Sequence, residues 1–222
     1  MISPVLSNLF LHYVFDCWMT KQYPNLPWCR YADDGLVHCN TEQQAKQLFE
    51  ALSKRFEECL LEVHPTKSKI VYCKDWKRRK DYSNTKFTFL GYDFRRRSVK
   101  NMKTNNIFLG FTPAVSNAAK KSMRAKTKEL MKNIGTSKNL DDVANEFNPI
   151  LQGWINYYGQ YNKSELGLVF RHFNLLVIRW IMRKFKRFKG KRIMASKFLE
   201  GLAGKQPTLF AHWKAGLKGG FP

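Results

Sequence analysis

The stretch Leu26-Pro-Trp-Cys-Arg-Tyr31-Ala-Asp-Asp-Gly35-Leu-Val-His-Cys-Asn40 decides the fold. Apolar runs flank Ala32-Asp-Asp-Gly35, and Asp-Gly between such runs signals a tight hairpin turn. The reading is strand, turn, strand, with the adjacent carboxylates of Asp33 and Asp34 at the tip. Like charges that close repel, so the pair is costly unless a cation shares it. Mg²⁺ suits it, because it takes hard oxygen ligands and leaves positions for water and substrate phosphates. Two such ions about 4 Å apart can activate an attacking 3′-oxygen and stabilise a leaving pyrophosphate. Asp-Asp-Gly is also simply a good turn, so its meaning depends on what surrounds it.

Upstream, residues 3–20 read as a mostly buried helix with Ser3 as cap and Pro4 in the first turn. Downstream, Thr41-Glu-Gln-Gln44 resembles a capping box. The helix it opens carries Ala45, Leu48, Phe49, Leu52 and Phe56 on one face. Leu60 to Val63 and Ile70 to Cys73 read as short strands around a His64-Pro65 break, and Lys74 to Lys86 as a basic loop. Phe87 to Phe94 and Ile107 to Phe111 read as a further strand pair. After Pro113 the spacing predicts helices over 114–134, 140–147, 149–161 and 165–188. Asn148 and Pro149 suit the cap and first turn of the third, and Gly159 its end. The class is α+β, an α+β half before an all-helical half, with a boundary near 112.

Charge divides the chain unevenly. Residues 1–65 hold 5 basic and 8 acidic side chains; residues 66–222 hold 34 and 9, a balance of +25 within a total of +22. So lopsided a block points to a polyanionic partner rather than to a merely soluble surface. The last predicted helix can bury Phe173, Leu176, Val177, Trp180 and Ile181 while offering Arg179, Arg183, Lys184 and Arg187 to phosphates. Lys74 to Lys80 and Lys120 to Lys132 add two more basic patches. Trp154, Tyr157, Tyr158 and Tyr161 recur at helical spacing, the pattern of a packed stripe, with base stacking as the sharper alternative. The five cysteines are widely spaced with no Cys-x-x-Cys, which argues against a disulfide scaffold or a zinc site and suits a reducing compartment. Apolar runs are short and broken by Arg and Lys, so no membrane span is expected.

Tyr31-Ala-Asp-Asp34 is the signature tetrapeptide of reverse transcriptases, and here it lies between apolar strands. Ile2-Ser-Pro-Val-Leu-Ser-Asn-Leu-Phe-Leu-His12 resembles the helix that follows the Gln-Gly segment of that family. His64-Pro-Thr-Lys67-Ser-Lys-Ile70 resembles its lysine-bearing segment, and Phe89-Leu90-Gly91-Tyr92 its primer-grip hairpin. Asn148-Pro-Ile-Leu-Gln-Gly-Trp-Ile-Asn-Tyr-Tyr-Gly159 closely resembles the signature of the maturase (X, or thumb) domain of group II intron proteins. Leu209-Phe-Ala-His-Trp213 resembles the ending of that domain. The matches run in family order over nearly the whole chain. The chain therefore resembles the C-terminal part of a group II intron reverse transcriptase/maturase.

The resemblance implies a partial polymerase palm, an antiparallel sheet with helices, over 1–112 and a helical thumb or maturase domain over 113–222. It implies an RNA-directed DNA polymerase and intron maturase whose partners are intron RNA, an RNA template and a DNA primer. Asp33 is then a metal ligand for Mg²⁺, and Asp34 a second, supporting one. Tyr31 packs near the primer end or incoming nucleotide, and Leu90, Gly91 and Tyr92 contact primer or nucleotide. Lys67 is the candidate for protonating or steadying pyrophosphate; an ordinary surface lysine is the competing reading. A complete enzyme of this family also carries fingers and an upstream palm strand with a third catalytic Asp. No residue here replaces that Asp, and Asp16, the only earlier carboxylate, is misplaced for it. The expectation is a fragment, either a truncated product or one half of a split protein, that binds structured RNA without polymerising alone; in the second case a separate N-terminal half is a further partner. The alternative is a non-catalytic RNA-binding splicing cofactor. The expected compartment is a bacterial cytoplasm, or an organelle in a eukaryote.

Overall fold

The structure, a computed structural model, describes residues 3–101 and 103–222. Ile2, the first residue of the stretch resembling the family's helix, lies outside the described residues. Two compact units form, Met1–Tyr72 with Asp81–Thr85, and Cys73–Lys80 with Lys86–Pro222. The class is α+β: helices with two small antiparallel sheets. The boundary expected near 112 falls inside a strand, and in space all three strands of the second sheet belong with the helices.

In the first unit, α1 (Ser3–Leu11) passes through a π-helical segment (His12–Cys17) into α2 (Trp18–Gln22). The helix expected over 3–20 is present, but its first half is not buried. Val5, Leu6, Leu9 and Phe10 are exposed, and burial starts only at Val14 and Phe15. The reason is geometric: the small core of this unit gathers Phe15, Met19, Leu26 and Leu48, with Leu52 and Phe56 packed against it, and α1 contributes no buried residue. Strands β1 (Trp28–Tyr31) and β2 (Asp34–Val37) form the hairpin. Thr41 then caps α3 (Glu42–Glu58) by accepting from the Gln44 amide, while the Gln44 side chain accepts from the Asn40 amide. Leu60 to Val63 and Ile70 to Cys73 are irregular, not strands. Leu60 leaves the helix in the left-handed region with φ 56°, and the Tyr72 amide donates to the Asn84 carbonyl with no strand assigned around it.

In the second unit β3 (Lys86–Phe89), β4 (Tyr92–Lys100) and β5 (Ile107–Val115) form an antiparallel sheet in sequence order. Ser116 caps α4 (Asn117–Asn133). A reciprocal box between Asn139 and Asp142 opens α5 (Leu140–Tyr158). This helix runs unbroken through Pro149, so the expected break at Asn148-Pro149 does not occur. Pro149 costs one intrahelical hydrogen bond, but buried Phe147, Leu151 and Ile155 hold the helix on both sides of it. Asn148 is not a cap; its amide donates to the Leu209 carbonyl and its oxygen accepts from the Ala211 amide. A 3₁₀ turn (Lys163–Leu166) leads into α6 (Gly167–Lys184), whose Phe170, Phe173, Ile178, Trp180 and Ile181 are fully buried. After a second 3₁₀ turn (Lys186–Phe188) come α7 (Arg192–Lys205) and α8 (Ala211–Lys214).

Asn174 fastens the C-terminal tail to α6. Its amide donates to the carbonyls of Lys218 and Gly220, so its oxygen faces His212 and Trp213. His212 must then donate from Nε2, and its buried Nδ1 has no partner among the described residues. Burial pushes the His212 imidazole down to about 3. Below about pH 6.5 the unfolded chain binds a proton here that the folded chain refuses until about pH 3. Stability therefore falls as pH drops across that window, by about 1.4 kcal/mol per unit. The stability gap between wild type and His212→Gln should shrink at about that rate in denaturant titrations over the window. A gap independent of pH would show that His212 is not held neutral.

Candidate functional site

In the first unit, Tyr31 pairs with Asp34, so the hairpin loop is only Ala32 and Asp33. Asp34 and Gly35 already belong to β2, and the turn is tighter than the four residues expected. Ala32 has φ 53°, a left-handed conformation that a residue with a Cβ adopts at a cost of about 1 kcal/mol or more.

Arg30 holds that turn. Its Nε donates to Asp16 Oδ1 at 2.7 Å and its Nη2 to Asp16 Oδ2 at 2.7 Å. Its Nη1 donates to the Ala32 carbonyl at 2.7 Å and to Asn8 Oδ1 at 3.0 Å. The two charged side chains are 12% and 17% exposed, a forked pair largely withdrawn from water. Arg30's hydrogen bonds hold the Asp16 carboxyl below its ordinary range, with His12 adding to the effect. Asp16 lies in the π-helical segment, a geometry that recurs at functional sites. Sequence reading did not single out Arg30. The available signal was a charged side chain within an apolar strand, directly before Tyr31.

Asp33 and Asp34 are exposed, as is Tyr31, and neither carboxylate has a hydrogen-bond or ion-pair partner among the described residues. Two hard-oxygen donors side by side fit Mg²⁺ in their chemistry. No third His, Cys, Asp or Glu joins them among the described residues, and Asp16 is committed to Arg30. Lys67 is exposed on a turn closed by the Ser68 amide to the His64 carbonyl at 3.0 Å.

In the second unit, Leu90 and Gly91 form the β3–β4 loop with φ 49° and 78°, the paired positive values of a type I′ turn. The end of α5 grips it. Tyr157 donates its hydroxyl to the Leu90 carbonyl at 2.9 Å, and the Tyr92 hydroxyl donates to the Tyr157 carbonyl. A Cβ on Gly91 would lie 2.6 Å from the Tyr158 hydroxyl. The Tyr158 and Tyr161 rings lie 5.3 and 5.7 Å from that of Tyr92. Burial raises the Tyr92 and Tyr158 hydroxyls above their ordinary pKa. The aromatic stripe is thus a packing surface for the Leu90–Gly91 turn, although Tyr157 and Tyr161 stay 47% and 55% exposed.

Arg179 and Arg183 are exposed on α6, and Arg187 is exposed with its guanidinium 4.5 Å from the Phe188 ring centre. Lys184 is half-buried and donates to the Thr136 carbonyl at 2.8 Å. Within the basic run of α4, Lys120 is buried against Glu165, which also receives Arg97.

Arg30→Met and Asp16→Asn, combined in a double-mutant cycle, should couple by about 1.5–3 kcal/mol, the range for hydrogen bonds to charged groups. The coupling should persist above the ordinary carboxylate pKa and fade as pH falls through Asp16's lowered value. Additive single mutants would remove the bracing role. For the second turn, Gly91→Ala should destabilise by more than about 1 kcal/mol, since it adds a positive-φ penalty to a clash. Adding Tyr158→Phe, which deletes the nearest atom, should restore part of the loss in thermal unfolding; no restoration would exclude the clash as its source.

Residues 1–94 match the family model described as reverse transcriptase (RNA-dependent DNA polymerase). Residues 120–198 match the one described as group II intron, maturase-specific domain. No curated protein matches the chain at a significant level.

Proposed function

The chain belongs to the group II intron reverse transcriptase/maturase family, and we propose that it supplies the metal-holding turn, the primer-contacting hairpin and the RNA-binding helices of an RNA-directed DNA polymerase. One observation carries the proposal: Asp33 and Asp34 stand together, exposed and without a partner among the described residues, on a strained tip that Arg30 braces. Bound there with substrate phosphates, Mg²⁺ would activate the primer 3′-oxygen and steady the leaving pyrophosphate. Asp33 and Asp34 would be its ligands, and Tyr31, exposed beside them, would pack against the primer end or the incoming nucleotide. Leu90 and Gly91 would contact primer or nucleotide, in a turn whose shape α5 fixes, while the buried Tyr92, with its hydroxyl on the Tyr157 carbonyl, would hold that turn and not touch the primer itself. Lys67 would serve pyrophosphate. Arg179, Arg183 and Arg187 would take phosphates of intron RNA or of a template–primer duplex, with Lys184 also tied to the Thr136 carbonyl. In this reading residues 1–112 are palm and 113–222 thumb or maturase. No helix among the described residues is long and apolar enough to cross a membrane. The proposed setting is a bacterial cytoplasm or an organelle.

A second reading, a splicing cofactor that binds RNA without catalysis, draws on the fact that no third His, Cys, Asp or Glu stands beside Asp33 and Asp34 among the described residues. Primer extension separates the two. The chain alone should bind structured RNA without extending a primer. Joined to an upstream reverse-transcriptase segment that brings the third carboxylate, it should extend one with Mg²⁺. Asp33→Asn should then abolish synthesis and leave RNA affinity within about twofold, because the carboxylate serves the metal and not the RNA backbone. Extension by Asp33→Asn would remove Asp33 from the site. No extension by the joined wild type would favour the cofactor.

A further inference from the structure

Beyond the α6 cations, β4 carries three consecutive arginines, Arg95, Arg96 and Arg97. With Ser98, Ser164 and Glu165 they line a cleft of about 390 Å³ between the strand and the 3₁₀ turn Lys163–Leu166. The bland account of such a run is edge protection, since charges on a sheet margin discourage strand pairing. β3 does end opposite Arg95, leaving that side of β4 without a partner strand among the described residues from Arg96 onward.

Edge protection does not explain Arg97, whose side chain is 9% exposed. Its Nη1 donates to Glu165 at 3.2 Å, its Nη2 reaches the Asp93 carbonyl at 3.4 Å, and its buried Nε has no partner among the described residues. Glu165 must also answer Lys120, 2.8 Å away and equally buried. One carboxylate therefore faces two buried cations, with Arg95 adding a third positive field. Burial first and Arg95 second lower the pKa of Arg97, the sign of a cation short of compensation. The remaining nearby carboxylate, Asp93, already accepts from the Thr88 hydroxyl and the Asn117 amide. The hydroxyls of Ser98 and Ser164 have no hydrogen-bond partner among the described residues. The exposed Arg95 fork, the free Ser164 hydroxyl and a buried charge that Glu165 only partly compensates are donors for a phosphodiester oxygen, and Arg96 and Ser98, which alternate to the other face of β4, offer a second fork and hydroxyl to a neighbouring phosphate along the same open edge.

We propose that this cleft is a second phosphate-binding site, seating backbone phosphates of the bound RNA through Arg95, Arg96, Ser98 and Ser164. Arg97 supplies a buried positive field behind them. The site rests on the RNA-binding reading above and adds a contact surface on the sheet, apart from the α6 arginines.

The test is salt-dependent binding of a fluorescein-labelled RNA hairpin to the full chain, comparing wild type, Arg95→Ala with Arg96→Ala, and a control, Lys189→Ala with Lys191→Ala. All four side chains are exposed, and unchanged thermal unfolding of each variant confirms its fold. Losing two phosphate contacts should flatten the log–log salt slope by roughly 1.8 and weaken binding about tenfold or more at low salt, with the control close to wild type. If wild type binds steeply and the arginine variant matches it, or the control loses as much, the cleft is not a phosphate site. If wild type fails to bind RNA at all, the RNA-binding reading itself falls and takes this inference with it.

Discussion

The guanidinium of Arg30 is the constraint on which the carboxylate turn depends. It meets Asp16 as a two-pronged fork and extends its remaining nitrogen to the Ala32 carbonyl. A hairpin of two four-residue strands is marginal by itself, and a positive φ at Ala32 weakens it further. The fork supplies what the strands lack, because Asp16 is anchored in a helix that buries Phe15 and Met19 in the unit's core. The position of Asp33 is thus set through Arg30 by packing elsewhere in the unit.

The second unit solves a similar problem with different chemistry. The Leu90–Gly91 turn carries no charge to be forked, so aromatic hydroxyls and ring surfaces hold it. Gly91 is required there twice over, for its positive φ and for the room that Tyr158 occupies. The partners lie more than sixty residues apart in sequence. The shape of the turn is therefore a property of the folded unit and not of the local peptide.

The legible parts were those with a local cause. The hairpin could be read because turn residues separated apolar runs, and α3 because a cap preceded a regular apolar face. Pro149 misled because proline favours a first helical turn, while burial of Phe147 and Leu151 outweighs its missing donor. α7 passed unnoticed because Gly201 and Gly204 lower its propensity and its buried face is built partly of small residues, Ala195, Ser196 and Ala203. The carboxylate pair was visible in sequence. Its brace was not, because Asp16 lies fourteen residues before Arg30 and only the π-helical segment and the strand bring them together. The cleft beside Arg97 is hidden for the same reason: nothing local to the run Arg95-Arg96-Arg97 shows that Glu165 and Lys120 come to it from distant elements.

A turn that keeps two carboxylates open must stop neighbouring cations from closing over them. Arg30 is the guanidinium already touching the turn, with Nη1 on the carbonyl of the residue before Asp33. Left alone it would gain most by swinging to Asp33 or Asp34, because a fork on carboxylate is stronger than a fork on water. Asp16 removes that option by engaging Nε and Nη2 together, and the Ala32 carbonyl and Asn8 take Nη1. With the fork satisfied, what remains near the tip is a nearly neutral Arg30–Asp16 pair beside two uncompensated carboxylates. If the tip holds Mg²⁺ as proposed, Asp16 would serve that site without being a ligand, by holding in place a cation that would otherwise compete with the metal.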